Sequence, residues 1–269
     1  GEASLNEART SLALSNHDPY TVDWQPLLQR LQSEGTTWVA TSPVPADFAY
    51  SGFAYPFGLE VARDVFRDHR TAGLDTLWTQ PPTSARQVMR WPTPAAPTAD
   101  LGADAIPALP GTHVLIDADR MGAFVFRVFL LRVAVLSLVP VRPDDDTLTA
   151  MATTLRGDHL SIFRFQSPVG PQAFIAWRLR FDDETSAATI AAFLESARAR
   201  TWQVRRAGGD VVLFASTGEV PQVTRWRAPV FSASAVGLSA GGLGRASAIS
   251  HTRLFCRHHD VWSEPAAAP

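Results

Sequence analysis

Lysine is absent from this chain; all 24 of its basic residues are arginine. That excludes a lysine nucleophile or a Schiff-base mechanism. It leaves a planar, permanently charged fork suited to binding carboxylates. Cysteine is almost absent too: with one, Cys256, no intrachain disulfide can form. That suits a reducing compartment, or a secreted protein that does without bridges. Charge is scarce, at 19% of residues with a net of −2, which argues against a nucleic-acid or anionic-membrane surface. No His-Glu-x-x-His occurs anywhere in the chain. The usual helical His pair for zinc, with its glutamate base, is therefore missing. No internal repeat and no signal peptide are visible, and Gly1 is not a natural start, so a fragment or a processed product is expected.

One long apolar run exists, from Met121 to Val139. Its length is enough to span a bilayer. Arg127 and Arg132 sit in its middle, and each costs about 2.5–3.5 kcal/mol to insert. A buried core helix is expected instead.

What is present is a sequence able to build a core. Of its 269 residues, 46% are apolar, enough for one large domain or two small ones. Helical spacing predicts helices over 2–14, over a stretch capped by Asp23 and ended by Gly35, and over 58–70 ended by Gly73. Shorter helices are expected over 74–78 and 84–89. Prolines recur without periodicity from Trp91 to Pro110, which marks a linker. Thereafter the pattern predicts a strand over 113–117, a helix opened by Asp144, Asp145 and Asp146, and strands over 160–165 and 173–181. Asp182 is expected to cap a helix running to Ala199. A hairpin turns at Gly208-Gly209-Asp210. Paired strands with intervening helices, without regular βαβ alternation, predict an α+β fold. The expected division is a helical half over 1–110, an α+β domain over 111–218, and a poorly ordered Ser/Ala/Gly-rich tail over 219–269.

Several stretches carry motifs: Gly1-Glu2-Ala3-Ser4, Tyr55-Pro56-Phe57-Gly58-Leu59-Glu60-Val61 and Pro81-Pro82-Thr83-Ser84-Ala85-Arg86-Gln87-Val88. Further on come Met121-Gly122-Ala123-Phe124, Arg156-Gly157-Asp158-His159-Leu160, and Trp177-Arg178 followed by Phe181-Asp182-Asp183. In order and spacing these resemble secreted or envelope-anchored zinc metallopeptidases of the gluzincin type. The resemblance covers residues 1 to about 216. It implies a helical, peptidase-like first half followed by an antiparallel sheet with packed helices, a peptide or protein substrate, and a secreted or envelope location. It also implies zinc, but only if a His-Glu-x-x-His helix precedes Gly1. The zinc-binding glutamate of the family's E-G-x-A motif falls just ahead of Gly1. Glu2 takes the variable position, either behind the metal ligands or on a solvated helix face. By the same resemblance Tyr55 is a candidate hydrogen-bond donor to a tetrahedral oxyanion, the alternative being a half-buried helix-entry tyrosine. Gly58 is then a close-approach point for the metal helix, or simply a helix N-terminal glycine. No residue of the chain is expected to bind metal by itself.

Other constellations are weaker. Gly237-Leu238-Ser239-Ala240-Gly241 lacks the strand, helix and downstream Asp-then-His of a nucleophile elbow. His251, Cys256, His258 and His259 fit no standard zinc spacing. Gly241-Gly242-Leu243-Gly244 lacks a phosphate-loop context. Arg156, Asp158 and His159 are expected at a tight turn before a strand, and His69 and His113 as structural residues. Two functions stand: a fragment of a zinc-dependent peptidase that is not catalytic alone, or a non-catalytic binding or scaffold protein with a peptidase-like fold.

Overall fold

In the first half of the chain apolar residues recur every three or four positions, and in the second half they begin to alternate. The computed structural model follows that change. It describes residues 2–18, 21–41, 56–93, 97–101, 113–135, 141–167, 170–197 and 202–216. Helices α1 (Glu2–Leu14), α2 (Gln25–Thr41), α3 (Pro56–Thr79) and the short α4 (Ala85–Met89) come first. Then follow β1 (His113–Asp119), α5 (Gly122–Val135), α6 (Asp145–Thr153), β2 (Leu155–Ser167) and β3 (Gly170–Phe181). The described part ends with α7 (Glu184–Ser196), β4 (Trp202–Ala207) and β5 (Asp210–Ser216). The strands form one antiparallel five-stranded sheet in the order β1-β2-β3-β5-β4. The architecture is α+β, with N-terminal helices and then an antiparallel sheet carrying packed helices.

The apolar run becomes α5, buried on almost every side. Phe126 and Phe129 pack edge-on to Trp177 of β3, with ring centroids 5.7 and 5.4 Å away. Each such side chain fully removed from water contributes about 1.5–3 kcal/mol. Among the described residues no helix is long and apolar enough to cross a membrane. Arg127 is tolerated inside α5 because Asp145 of α6 neutralises it and Thr149 Oγ1 accepts its Nε–H at 2.9 Å. From α7, Ala187, Ile190, Ala191 and Leu194 join the same core. Alternation along β3 sends Phe174 and Ala176 to the opposite face, where Val212 and Phe214 complete a second buried layer. At one edge of the sheet, Val114, Leu115 and Ile116 of β1 stand more than half exposed, Leu115 least at 51%.

A smaller core, of Leu5, Leu28, Leu59, Ala62, Phe66 and Leu74, holds α1, α2 and α3 together. The first turn of α3 bridges the two cores. Phe57 meets Phe124 of α5 edge-on at 6.1 Å, while Leu59 enters the helical cluster. Arg86 of α4 reaches the other way, donating to the Thr153 carbonyl at 2.8 Å and pairing with Asp182.

Several expected boundaries move. Gly35 does not end α2 but lies buried inside it. Gly73 is not the breakpoint of the third helix: the expected end at Arg70 holds, since its φ of 56° and ψ of −145° are non-helical, and a second helical stretch containing Gly73 runs on from that kink to Thr79. Gly73 is needed for contact, since a Cβ there would lie 2.6 Å from Val65 Cγ1 and 2.7 Å from His69 Cβ. The segment 156–159 is not a turn; it lies within β2, past an irregularity between Leu155 and Gly157. Asp182 does not cap α7. Asp183 does, accepting the Ser186 N–H at 2.7 Å, which leaves Asp182 to hold Arg86. The opening of α6 follows expectation, with Asp144 as N-cap accepting from Thr147 N. The tail over 219–269, with its Ser239, His251 and Cys256 constellations, lies outside the described residues.

Candidate functional site

Of the residues nominated by resemblance, Glu2 and Gly58 lie among the described residues. Tyr55 lies outside the described residues. Glu2 is the first residue of α1, and Gly58 sits half-buried in the first turn of α3, between Phe57 and Leu59. Leu5 and Leu59 share one buried cluster, so the segments that carry the Gly-Glu-Ala-Ser and Tyr-Pro-Phe-Gly motifs belong to the same small core. Beside them Gln32, Gly35, Thr36, Pro56, Phe57, Phe124 and Arg127 line a cleft with only about 10 Å³ of free space. That is room for about one water molecule, not for a peptide. One turn on, burial pushes the Glu60 carboxyl above its ordinary range, against the pull of Arg63 3.9 Å away. Among the described residues, no group of three or more His, Cys, Asp or Glu side chains could hold a metal ion. These residues do not fit a zinc site.

The large concavity lies at the other end of α3. A groove of about 760 Å³ runs between its kinked second half and the turn after α4. Val65, Leu77, Pro81 and Trp91 supply apolar wall, and Asp68, His69 and Thr93 supply polar groups. The Gly73 contact creates this shape by letting the chain beyond Arg70 close against Val65. Ser84 caps α4, accepting from Gln87 N at 3.3 Å, and the Gln87 side chain accepts from Thr83 N at 2.6 Å. These two bonds cap the start of α4, fix the groove's rim and account for the Pro-Pro-Thr-Ser-Ala-Arg-Gln-Val segment locally. Among the described residues the groove offers polar groups and no nucleophile held by a base.

The second-half motifs resolve into braces. Asp158 accepts from Met121 N at 2.7 Å, Gly122 N at 2.9 Å and Trp177 Nε1 at 2.9 Å. It thereby caps α5 and ties it to two strands. Burial pushes its carboxyl up and outweighs those three donors, which favour the ion. Arg178, 1% exposed, donates to Asp210 at 2.6 Å, and Arg180 donates to the same carboxylate at 2.7 Å. Burial alone raises the Asp210 carboxyl, but the two guanidinium groups together draw it below the ordinary range.

The sequence motifs include Arg178 beside Trp177 and place Asp210 in a turn, but they do not join Arg178, Arg180 and Asp210. A signal was available: arginines at i and i+2 share one face of a strand, and in so apolar a strand they require a buried carboxylate. The groove had no such signal, because its walls come from residues brought together by the kink at Arg70. Comparison of the chain with protein-family models, with curated proteins and with solved structures finds no match.

Proposed function

We propose that this chain is the non-catalytic C-terminal portion of a zinc-metallopeptidase-like protein of the secreted or envelope space. In that reading it walls one side of a substrate cleft and carries an appended α+β unit, while the metal ligands come from sequence outside these residues. The observation that supports it is the shared core of α1 and α3. The two segments that resemble successive peptidase motifs are far apart in sequence, yet Leu5 and Leu59 are buried in one cluster. On this reading Tyr55, immediately before α3, donates to the developing oxyanion of peptide hydrolysis, an interaction worth about 2.7–4 kcal/mol. The test uses the full gene product. It should contain bound zinc and hydrolyse peptides, and Tyr55→Phe should lower kcat about 10²–10³-fold while metal content stays unchanged. Full-length protein that binds no zinc, or full activity in Tyr55→Phe, overturns it.

A second reading, a binding or scaffold protein without peptidase activity, draws support from a different observation. The described motif residues are engaged in holding the fold: Gln87 in a cap, Asp158 and Trp177 in a brace, Asp182 on Arg86. The groove on α3 then becomes the working surface. Zinc-free full-length protein that captures an extended peptide at this groove, with loss of capture on Trp91→Ala, is the outcome that favours it.

A further inference from the structure

Helix α3 breaks at Arg70 without a residue suited to the break. From Arg67 to Ala72 the sequence holds neither glycine nor proline, and arginine is a good helix former. Left to local preference this stretch would continue as helix. Arg70 instead has φ 56° and ψ −145°, a conformation that glycine adopts freely and other residues adopt only under strain.

Packing beyond the break imposes that geometry. In an unbroken helix residues 65 and 73 would stand about 12 Å apart along the axis. Here a Cβ on Gly73 would lie 2.6 Å from Val65 Cγ1 and 2.9 Å from the Val65 carbonyl oxygen, so the chain has folded back on itself. Leu74, 6% exposed, enters the cluster of Leu59, Ala62 and Phe66, and Leu77 packs against it. Two opposing influences therefore meet at one residue. Burial of Leu74 draws residues 71–79 down, and the strained backbone of Arg70 pushes them up.

The groove takes its lining from both sides of this hinge: Val65, Asp68 and His69 precede Arg70, and Thr76 and Leu77 follow it. We propose that residues 71–79 are a strained flap: relaxation of the Arg70 backbone toward helical angles lifts Gly73 and Leu74 from Val65 and Phe66 and changes the width of the groove. A ligand that touches residues on both sides of the hinge holds the flap down. That use rests on the reading of the groove as a binding surface; the hinge itself does not.

The test needs no ligand, so failure of the flap and failure of peptide capture at the groove are separate results. In the full chain carrying Cys256→Ser, Leu74→Cys and Leu28→Cys each place a single thiol in the same buried cluster, one on the flap and one off it. Labelling by N-ethylmaleimide without denaturant should be at least about tenfold faster at position 74. Adding Arg70→Gly, which removes the strain, should slow labelling at position 74 at least about fivefold. Adding Arg70→Ala should not, since alanine keeps the strain while losing the same side-chain approach to Phe66. Equal labelling at the two positions overturns the flap, as does an equal effect of glycine and alanine at position 70. In the unsubstituted chain the Cα chemical shift of Arg70 should lie outside the helical range between helical neighbours. A helical value there overturns the proposal even if the thiol variants do not fold.

Discussion

The two cores of this protein differ in kind. The sheet unit surrounds α5 with rings and branched chains and ties its polar groups in buried braces at Asp158 and Asp210. The helical half is held by a smaller cluster around Leu5, Leu28 and Leu59, and several of its ion pairs, such as Arg30–Glu34 and Arg67–Asp68, are solvent-exposed. Solvent screens exposed pairs of this kind, whereas breaking a buried one costs about 3–5 kcal/mol. Yet the thinner half carries the groove, the kink and the motif-bearing entrance to α3. The larger buried core and the widest groove on the described surface thus lie in different regions of the chain.

The comparison can be broken most directly through the cores. Phe126→Ala, at a fully buried ring touching Phe129, Trp177 and Phe181, should cost about 3–5 kcal/mol and lower the transition of the whole chain. Leu28→Ala in the helical cluster should cost less, about 2–3 kcal/mol, and act mainly on helix loss. Denaturant melts followed in parallel by far-ultraviolet circular dichroism and tryptophan fluorescence distinguish them; equal and coincident losses would merge the two regions into one.

The braces give the next largest effect. Asp210→Ala leaves Arg178 and Arg180 without their shared carboxylate, at about 3 kcal/mol or more. Because the folded-state pKa of Asp210 is depressed, its contribution is full above the ordinary aspartate value of about 3.9 and is lost as pH falls through the lower folded value. The wild-type protein should therefore show an acid-limb loss of stability below the ordinary aspartate value of about 3.9 that the variant lacks. Melts across that range would reveal a persistent limb if the brace were not its source.

The smallest expected effect is local. Gly73→Ala places a methyl 2.6 Å from Val65 Cγ1 and 2.9 Å from the Val65 carbonyl, so the second half of α3 must move outward. About 1–3 kcal/mol should be lost, with raised hydrogen exchange beyond Arg70 and an unaltered sheet. An unaffected exchange pattern would mean that close contact at Gly73 does not shape the groove.

The sequence reveals the helices and strands where local chemistry decides. Asp144 announces α6, the spacing of Leu5, Ala8 and Leu12 announces α1, and two glycines announce the β4–β5 turn, where Gly208 has φ +56°. It misleads where a distant partner decides. Arg156-Gly157-Asp158 reads as a polar turn because Asp158 looks solvated; only the amides of Met121 and Gly122 make it a buried strand residue. Gly73 reads as a helix end because its use is set by close contact with Val65 and His69 and not by left-handed geometry, and Gly35 reads as one although it lies buried within α2. Asp182 and Asp183 are interchangeable as caps in sequence, and Arg86, far upstream, breaks the tie. The motif residues themselves were legible, but their roles as braces depend on partners that no local pattern names.

At high concentration the behaviour of the protein will be governed by a strand that contributes little to its core. The outer strand of any sheet offers unpaired amides and carbonyls to the next molecule it meets. On β1 the far end is partly shielded, since Asp117 and Asp119 occupy the amides of Ala118 and Arg120. Among the described residues the neighbouring Val-Leu-Ile stretch has no such shield, and an exposed apolar edge of this kind is where self-association is expected to start.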